Sequence, residues 1–281
     1  MMNDEFINDC KDKSNSELAR KYKVSERTIR RWRKKAKESI PAPTTKVYDD
    51  FVTVESDKVI VIGDIEIPFH STDTLEMACA LARKYELDTL IINGDLVALD
   101  CFSTWVRNTA YKLTFKNEIE PALEILKIFL TIFNQIYIVT GNHERRLARK
   151  LDGEITIGEF FSNISGVTFS EYSYCILNSG GEEILVCHQD NYSKQPLAVS
   201  RELASIYHKH IIAGHTHHLA QGYDKSGKYW VVDGGCCRDT KYTEYKSIRV
   251  NTFPKWNNGV VMVINGSPLL VDMGNANFWL A

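Results

Sequence analysis

Residues 136–144 read Ile-Tyr-Ile-Val-Thr-Gly-Asn-His-Glu, and residues 211–217 read Ile-Ile-Ala-Gly-His-Thr-His. In both, a short β-branched apolar run stops at a glycine and gives way to a cluster of polar, ligand-capable side chains. A run of this length bounded by a turn signal is what a buried strand of an α/β sheet looks like. The same grammar recurs outward from these two stretches. Val59–Ile62 ends at Gly63-Asp64, Thr89–Ile92 at Gly94-Asp95, and Ile184–Cys187 at His188. Between the runs lie segments with helical periodicity, such as TLEMACALARKYE, IEPALEILKIFLTIF and PLAVSRELASIYHKH. The alternation predicts an α/β domain with sheets covered by helices. The last part, about 229 to 280, reads as strands and turns, and predicts a second sheet with antiparallel pairing.

Ligands of α/β sheets gather at the carboxyl ends of strands, so the five clusters can converge on one rim. The assembled set is Asp64, Asp95, Asn142, His188, His215 and His217. It mixes hard oxygen with borderline nitrogen donors, which suits divalent Mn, Fe or Zn. The seven cysteines are odd in number, form no C-x-x-C pair and are expected to be reduced thiols. Cys236 and Cys237 are expected to pack beneath the site, because thiolates facing the metals would outcompete oxygen ligands.

With 281 residues, 44% hydrophobic and 25% charged, the chain has the composition of a folded globular protein rather than a disordered or fibrous one. No apolar run approaches the roughly 18 residues of a membrane span, and the opening MMNDEFINDCKDK is polar and acidic where a signal peptide is basic and then apolar. The expectation is a cytoplasmic protein without a membrane partner.

Charge divides the chain. Between Arg20 and Lys37 stand ten bases and one acid, a local balance of +9 in a chain of net −2, so the remainder carries −11. Two prolines at Pro41-Ala-Pro43 end the basic segment. Residues 1–45 are therefore expected to form a small all-α domain and linker, and residues 46–281 the α/β domain. In the small domain, Ser14-Asn-Ser-Glu17 is a capping box and Ser25 caps the next helix, which carries Ile29 and Trp32 on one face. A further helix is expected over Asp4 to Cys10, with Phe6, Ile7 and Cys10 inward. The segment SNSELARKYKVSERTIRRWRKKAKE resembles a helix-turn-helix, with Trp32 as core anchor. Arg27, Arg30, Arg31, Arg33, Lys34 and Lys35 are the expected DNA contacts, through counterion release at the phosphates.

The order GD, GD, GNHE, H, GHTH resembles the calcineurin-like metallophosphoesterases, whose pattern is D-x-H, GD, GNH(E/D), H and GHxH. The resemblance covers most of residues 57 to 273, and DGGCCRD through Trp256-Asn-Asn-Gly259 is similar to bacterial and phage members. It implies a sandwich of two mixed sheets flanked by helices and a centre of two divalent metals, with manganese favoured. Asp64, Asp95 and His217 would hold the first metal. Asp95, Asn142, His188 and His215 would hold the second, with Asp95 bridging. His143 would be the histidine beside the leaving group, and Asp95 and His143 the catalytic pair. Arg145 and Arg146 are candidates for a phosphate clamp.

Two departures narrow what the resemblance implies. Glu66 stands where D-x-H has histidine; it can ligate through oxygen, leave the first metal weaker, or surrender the place to His70. Ala98 and Leu99 stand where the Ser/Thr protein phosphatases have Asp and Arg, which argues against that activity. Asp100 can orient His143 or cap a turn. His208 and His210 are expected at a helix end or the surface, and His218 outside the ligand set. The leading expectation is a phosphoesterase acting on nucleic acid, as a nuclease or in DNA-end processing, targeted by its basic head. The alternatives are a small-molecule nucleotide phosphatase or phosphodiesterase, and a non-catalytic DNA-binding regulator with a structural metal site. Oligomeric state is not legible.

Overall fold

The computed structural model describes residues 4–37, 47–104, 112–243, 247, 250, 252 and 255–281. The chain divides into two compact units, Met1–Asp49 and Asp50–Ala281. The Pro41-Ala-Pro43 stretch read as a linker lies outside the described residues.

The first unit contains helices α1 (Asp4–Asp12), α2 (Asn15–Lys21) and α3 (Glu26–Lys37). The capping box forms as expected: Ser14 Oγ accepts from the Glu17 amide, and Glu17 answers to the Ser14 amide. Ser25 Oγ accepts from the Thr28 amide at the start of α3. Phe6, Leu18 and Ile29 form the core, and the Trp32 ring packs edge-on to Phe6 at 5.3 Å. Trp32 is thus half-buried and packed against the core; the Ile7 side chain lies outside the described set. Arg27, Arg30, Arg31, Lys34 and Lys35 are exposed, while half-buried Arg33 donates to the Lys13 carbonyl.

The second unit is built on two six-stranded sheets. Their strands are β1 (Thr53–Glu55), β2 (Lys58–Ile62), β3 (Thr89–Asn93), β4 (Gln135–Val139), β5 (Val167–Ser170) and β6 (Tyr174–Ser179), followed by β7 (Glu182–Cys187), β8 (His210–Ala213), β9 (Leu219–Tyr223), β10 (Trp230–Gly234), β11 (Gly259–Ile264) and β12 (Ser267–Asp272). One sheet has the order β12-β11-β2-β3-β4-β5 and the other β1-β6-β7-β8-β10-β9. Strands β2, β3 and β4 run parallel in the first, β7 and β8 in the second.

Strand alternation explains the layers, since successive side chains point to opposite faces. Along β2, Val59 and Val61 enter a core shared with Leu177, Ile184, Val186, Ile212 and Val232 of the opposite sheet. Ile60 and Ile62 face the other way, into a core with Leu75, Leu81 and Leu126 from helices α4 (Thr72–Tyr85) and α5 (Phe115–Phe129). On the far side, Ile211, Leu185 and Val231 pack with Leu197 and Ala204. The latter belongs to helix α8 (Ala198–Tyr207), which follows the short helices α6 (Arg145–Lys150) and α7 (Gly158–Phe161); a terminal α9 spans Ala276–Leu280. Parallel strands need both faces covered, and this helix–sheet–sheet–helix stack provides it.

One expectation needs correction. The strands after residue 229 do not form a sheet of their own. Strand β10 joins β8 in parallel and β9 in antiparallel, whereas β11 joins β2 and β12 in antiparallel. The reason is that each C-terminal strand extends an existing hydrogen-bonded edge, which hydrophobic alternation alone does not specify. Among the described residues no helix is long and apolar enough to cross a membrane, and all seven cysteines are free thiols.

Candidate metal centre at the strand ends

Each predicted ligand follows the carboxyl end of a parallel strand: Asp64 after β2, Asp95 after β3, Asn142 after β4, His188 after β7, and His215 and His217 after β8. The chain must turn sharply there while aiming a side chain back at the rim. Asp64, Glu66, Asp95, His215 and His217 accordingly adopt left-handed backbone, with φ of 47°, 48°, 50°, 81° and 60°. Such conformations cost on the order of 1–3 kcal/mol each and persist where the surroundings enforce them. The motif glycines supply the space. A Cβ on Gly94 would lie 2.5 Å from the His188 ring, and one on Gly141 would lie 2.1 Å from Asp95 Oδ1.

Asp95, His188 and His215 place one ligand atom each within 4.8 Å of one another. His188 Nδ1 meets the Asn93 carbonyl at 2.9 Å, which leaves Nε2 directed at Asn142 Oδ1, 3.1 Å away, and Asp95 Oδ2, 3.3 Å away. Fixing one ring nitrogen on a carbonyl selects the tautomer that frees the other for a metal. Asp95 Oδ1 accepts from the His143 amide at 2.8 Å.

Beside this cluster lies a second group. Asp64 Oδ2 accepts from the His215 amide at 2.9 Å, while Oδ1 lies 3.1 Å from His217 Nε2. Glu66 Oε1 is 3.4 Å from the same nitrogen. It is thus Glu66 that faces His217; His70 forms a backbone bridge to Arg238. His143 sits between the groups, with Nε2 3.7 Å from Asp95 Oδ2 and Nδ1 3.6 Å from Glu66 Oε2.

The electrostatics fit a divalent cation. Burial opposes ionisation of Asp64 and Asp95, but His217 and His188 beside the first, and His143 and His188 beside the second, hold both carboxyls below the usual range. Burial likewise opposes a charged His188, yet Asp95 and Asp64 push it up to about 10. His143 goes the other way: burial outweighs Asp95 and lowers it to about 3. His215 is lowered by burial and by His188. Asp64 Oδ1 and the Nδ1 atoms of His143 and His217 are buried without a hydrogen bond, although buried polar atoms in native structures are nearly always satisfied. Carboxylates, imidazoles and orphaned donor atoms in one place are the chemistry of a transition-metal site.

A family model for the calcineurin-like phosphoesterase superfamily domain matches residues 41–252. The chain belongs to this superfamily. Its structural neighbours include Vps29 from Cryptosporidium parvum, 16% identical over 76% of this chain and 95% of that one, with a TM-score of 0.41. Another is the E. coli phosphoesterase YfcE, 15% identical over 77% of this chain and 99% of that one, TM-score 0.40. A third is Vps29 from Chaetomium thermophilum, 10% identical over 77% and 94%, TM-score 0.44. No curated protein matches the chain significantly.

Several residues of this calcineurin-like domain take places that motif reading did not assign. Glu144, the last residue of GNHE, is a buried clamp: Oε2 accepts from the amides of Asp95 and Gly141, and Oε1 from that of Val97. Burial and the nearby Asp95 charge raise it to about 7. Glu118 on α5 braces the following turn by accepting from the amides of Asp100 and Cys101, each at 3.0 Å. Next to the ligands opens a cavity of about 370 Å³ lined by Phe102, Thr104, Asn142, Arg146, Arg149, Lys150 and His215. Arg146 lines it while donating to the Ala98 carbonyl and to Asp100; Arg145 pairs with Asp190 at the surface. Arg149 and Lys150 are detectable from their helical spacing behind Arg145 and Arg146. Cys236 and Cys237 are fully buried, and the Cys237 amide donates to the carbonyls of Gly63 and Asp64 beneath the site. His208 ends α8, and His218 lies 3.8 Å from Asp233. His210, expected at a helix end or surface, is instead the first residue of β8, stacked on Trp230 at 4.6 Å.

Proposed function

We propose that this calcineurin-like protein is a metal-dependent phosphoesterase hydrolysing phosphodiester or phosphomonoester bonds, acting on nucleic acid in the cytoplasm as a nuclease or DNA-end processor. The observation that carries this is the convergence of Asp95, His188 and His215, with Asn142 alongside, beside a cavity that Asn142 and His215 line together with three cationic side chains. Two divalent ions are proposed, manganese favoured. Asp95, Asn142, His188 and His215 would hold one, and Asp64, Glu66 and His217 the other, with Asp95 shared. When bound, such ions neutralise the phosphoryl oxygens and acidify water.

The chain's own residues do the rest. His188 would hold its ion as the neutral imidazole through Nε2, with Nδ1 anchored on the Asn93 carbonyl. The His143 and Glu144 contacts keep Asp95 in place. Arg146, Arg149 and Lys150 orient the anionic substrate. His143, neutral in its buried pocket, offers a ring N–H hydrogen bond to the departing oxygen; an approaching anion raises its basicity, so that it takes up a proton from solvent and hands that proton to the leaving oxygen. The exposed bases of α3 supply sequence-independent attraction to a polyanion. The cavity volume also suits a small phosphoester, so a nucleotide substrate is the second candidate.

The test compares the full chain with residues 46–281 alone, assayed with manganese on bis-p-nitrophenyl phosphate and on DNA. Hydrolysis of the small ester should survive the deletion, while DNA binding should fall sharply. Binding by the full chain should drop steeply between about 50 and 200 mM salt. DNA affinity indifferent to both deletion and salt would remove the nucleic-acid part and leave the nucleotide substrate in front.

A further inference from the structure

Glu66 stands in the motif position that the superfamily pattern gives to histidine, and a buried arginine is set against it. Arg238 is held from three sides. Its Nε donates to Thr243 Oγ1 at 2.9 Å, its guanidinium carbon lies 4.8 Å from the centre of the Phe69 ring, and Nη1 pairs with Glu66 Oε2. Both side chains are almost wholly sequestered, Arg238 at 7% and Glu66 at 3% exposure. The other oxygen of Glu66 is the one that faces His217, which in turn faces Asp64. A fixed positive charge is therefore built into the wall of the Asp64, Glu66 and His217 group. Around Asp95 the nearest basic side chains among the described residues are the histidines His188 and His143, at 3.3 and 3.7 Å from Oδ2.

This difference matters because the two kinds of side chain relate differently to a metal. A neutral imidazole such as His188 can itself be a ligand, whereas a guanidinium keeps its charge at every accessible pH and cannot. A divalent ion entering beside Glu66 must share that carboxylate with Arg238 or displace it, and must bear the repulsion of a unit charge in a poorly solvated place.

We propose that the two halves of the centre are unequal by construction: the Asp95, Asn142, His188 and His215 half binds its ion tightly, and Arg238 holds the Asp64, Glu66 and His217 half as a weaker, exchangeable site. The inference rests on the metal-dependent function proposed above and specifies how that centre is loaded. Arg238 is a positioning residue here, acting through Glu66.

Titration calorimetry of the chelator-stripped full chain with Mn²⁺ tests it without measuring activity. The wild type should show two steps separated by at least about tenfold in affinity. Arg238→Met should strengthen the weaker step on the order of ten- to a hundredfold, as expected for removing one nearby charge from a poorly solvated site, and leave the tight step in place. Arg238→Lys, which retains the charge, should keep the wild-type separation. A wild type that takes one ion, with a second appearing only in Arg238→Met, is the limiting case of the same result. Two equal steps in the wild type would overturn the inequality whether or not the variants fold. A weaker step unchanged or weakened in an Arg238→Met protein with a normal thermal melt would overturn the part given to Arg238. No Mn²⁺ binding at all would instead remove the metal-dependent function on which the inference stands, an outcome distinct from two equal sites.

Discussion

The two halves of the strand-end rim both combine carboxylate with imidazole and are supported in opposite ways. Asp95 is surrounded by groups that fix it: the His143 amide on one oxygen, His188 beside the other, and Glu144 bonded to its own amide and to that of Gly141. The turn that follows is clamped again by Glu118. Asp64 is steadied by the His215 amide and by the Cys237 amide on its carbonyl, but its neighbour Glu66 is spoken for by Arg238. The lesson is that a ligand set read from residue types alone overstates its symmetry. What distinguishes two such sites is the charge and hydrogen bonding behind the ligands, because these outer partners set orientation and basicity.

The largest effect that can break the comparison comes from deleting one histidine on each side. His188→Ala should abolish tight Mn²⁺ binding and with it activity, beyond the roughly 10- to 100-fold that loss of an outer partner costs. His217→Ala should leave one tightly bound ion. Elemental analysis after gel filtration distinguishes them, and equal metal loss in both variants would erase the distinction between the halves.

His143 lies between the groups, and its ring nitrogens stand 3.6 and 3.7 Å from the nearest carboxylate oxygens. His143→Ala should lower kcat about 100- to 10,000-fold, the range of a positioned acid–base group, while metal content stays at the wild-type level. Loss of the metal would make it a ligand, and unchanged kcat would take it out of the chemistry.

The smallest effect concerns the bracing of the Asp95 side. Burial raises Glu118 from 4.5 to about 7. Because the folded value is raised, the contribution to stability is complete below about pH 4.5 and is lost as pH rises through about 7, by up to roughly 3 kcal/mol. The melting temperature of the wild type should therefore carry a downward component across that window, and Glu118→Gln should lack it. Identical pH profiles for the two proteins would show that Glu118 is not shifted.

Most of the rim is legible in the amino-acid sequence, for a physical reason. Parallel strands buried on both faces must be continuous apolar runs, and the residues just past them must turn at glycine and face the open end. The GD, GNHE, His188 and GHTH clusters follow from that rule. Other parts escape it because they depend on distant packing. Arg238 sits in DGGCCRD, far from Glu66 along the chain, and the backbone bridge between His70 and Arg238 is what brings the two loops together. Glu144 is visible as part of GNHE, but its role requires the Asp95 loop to lie against it. The pairing of β10 with β8 and of β11 with β2 is hidden for the same reason, since alternation shows which face of a strand is buried and not which neighbour it chooses.

The central claim, that this chain is a phosphoesterase whose chemistry depends on metal held at Asp95, His188 and His215, is tested most directly by removing and restoring the metal. The full chain is stripped with a chelator, assayed on bis-p-nitrophenyl phosphate, and then titrated with Mn²⁺ while bound metal is counted. Activity should be absent in the stripped protein and return with added Mn²⁺, and a His215→Ala variant treated identically should regain neither the tightly bound ion nor activity. Hydrolysis that persists without metal, or that returns fully in His215→Ala, would contradict it.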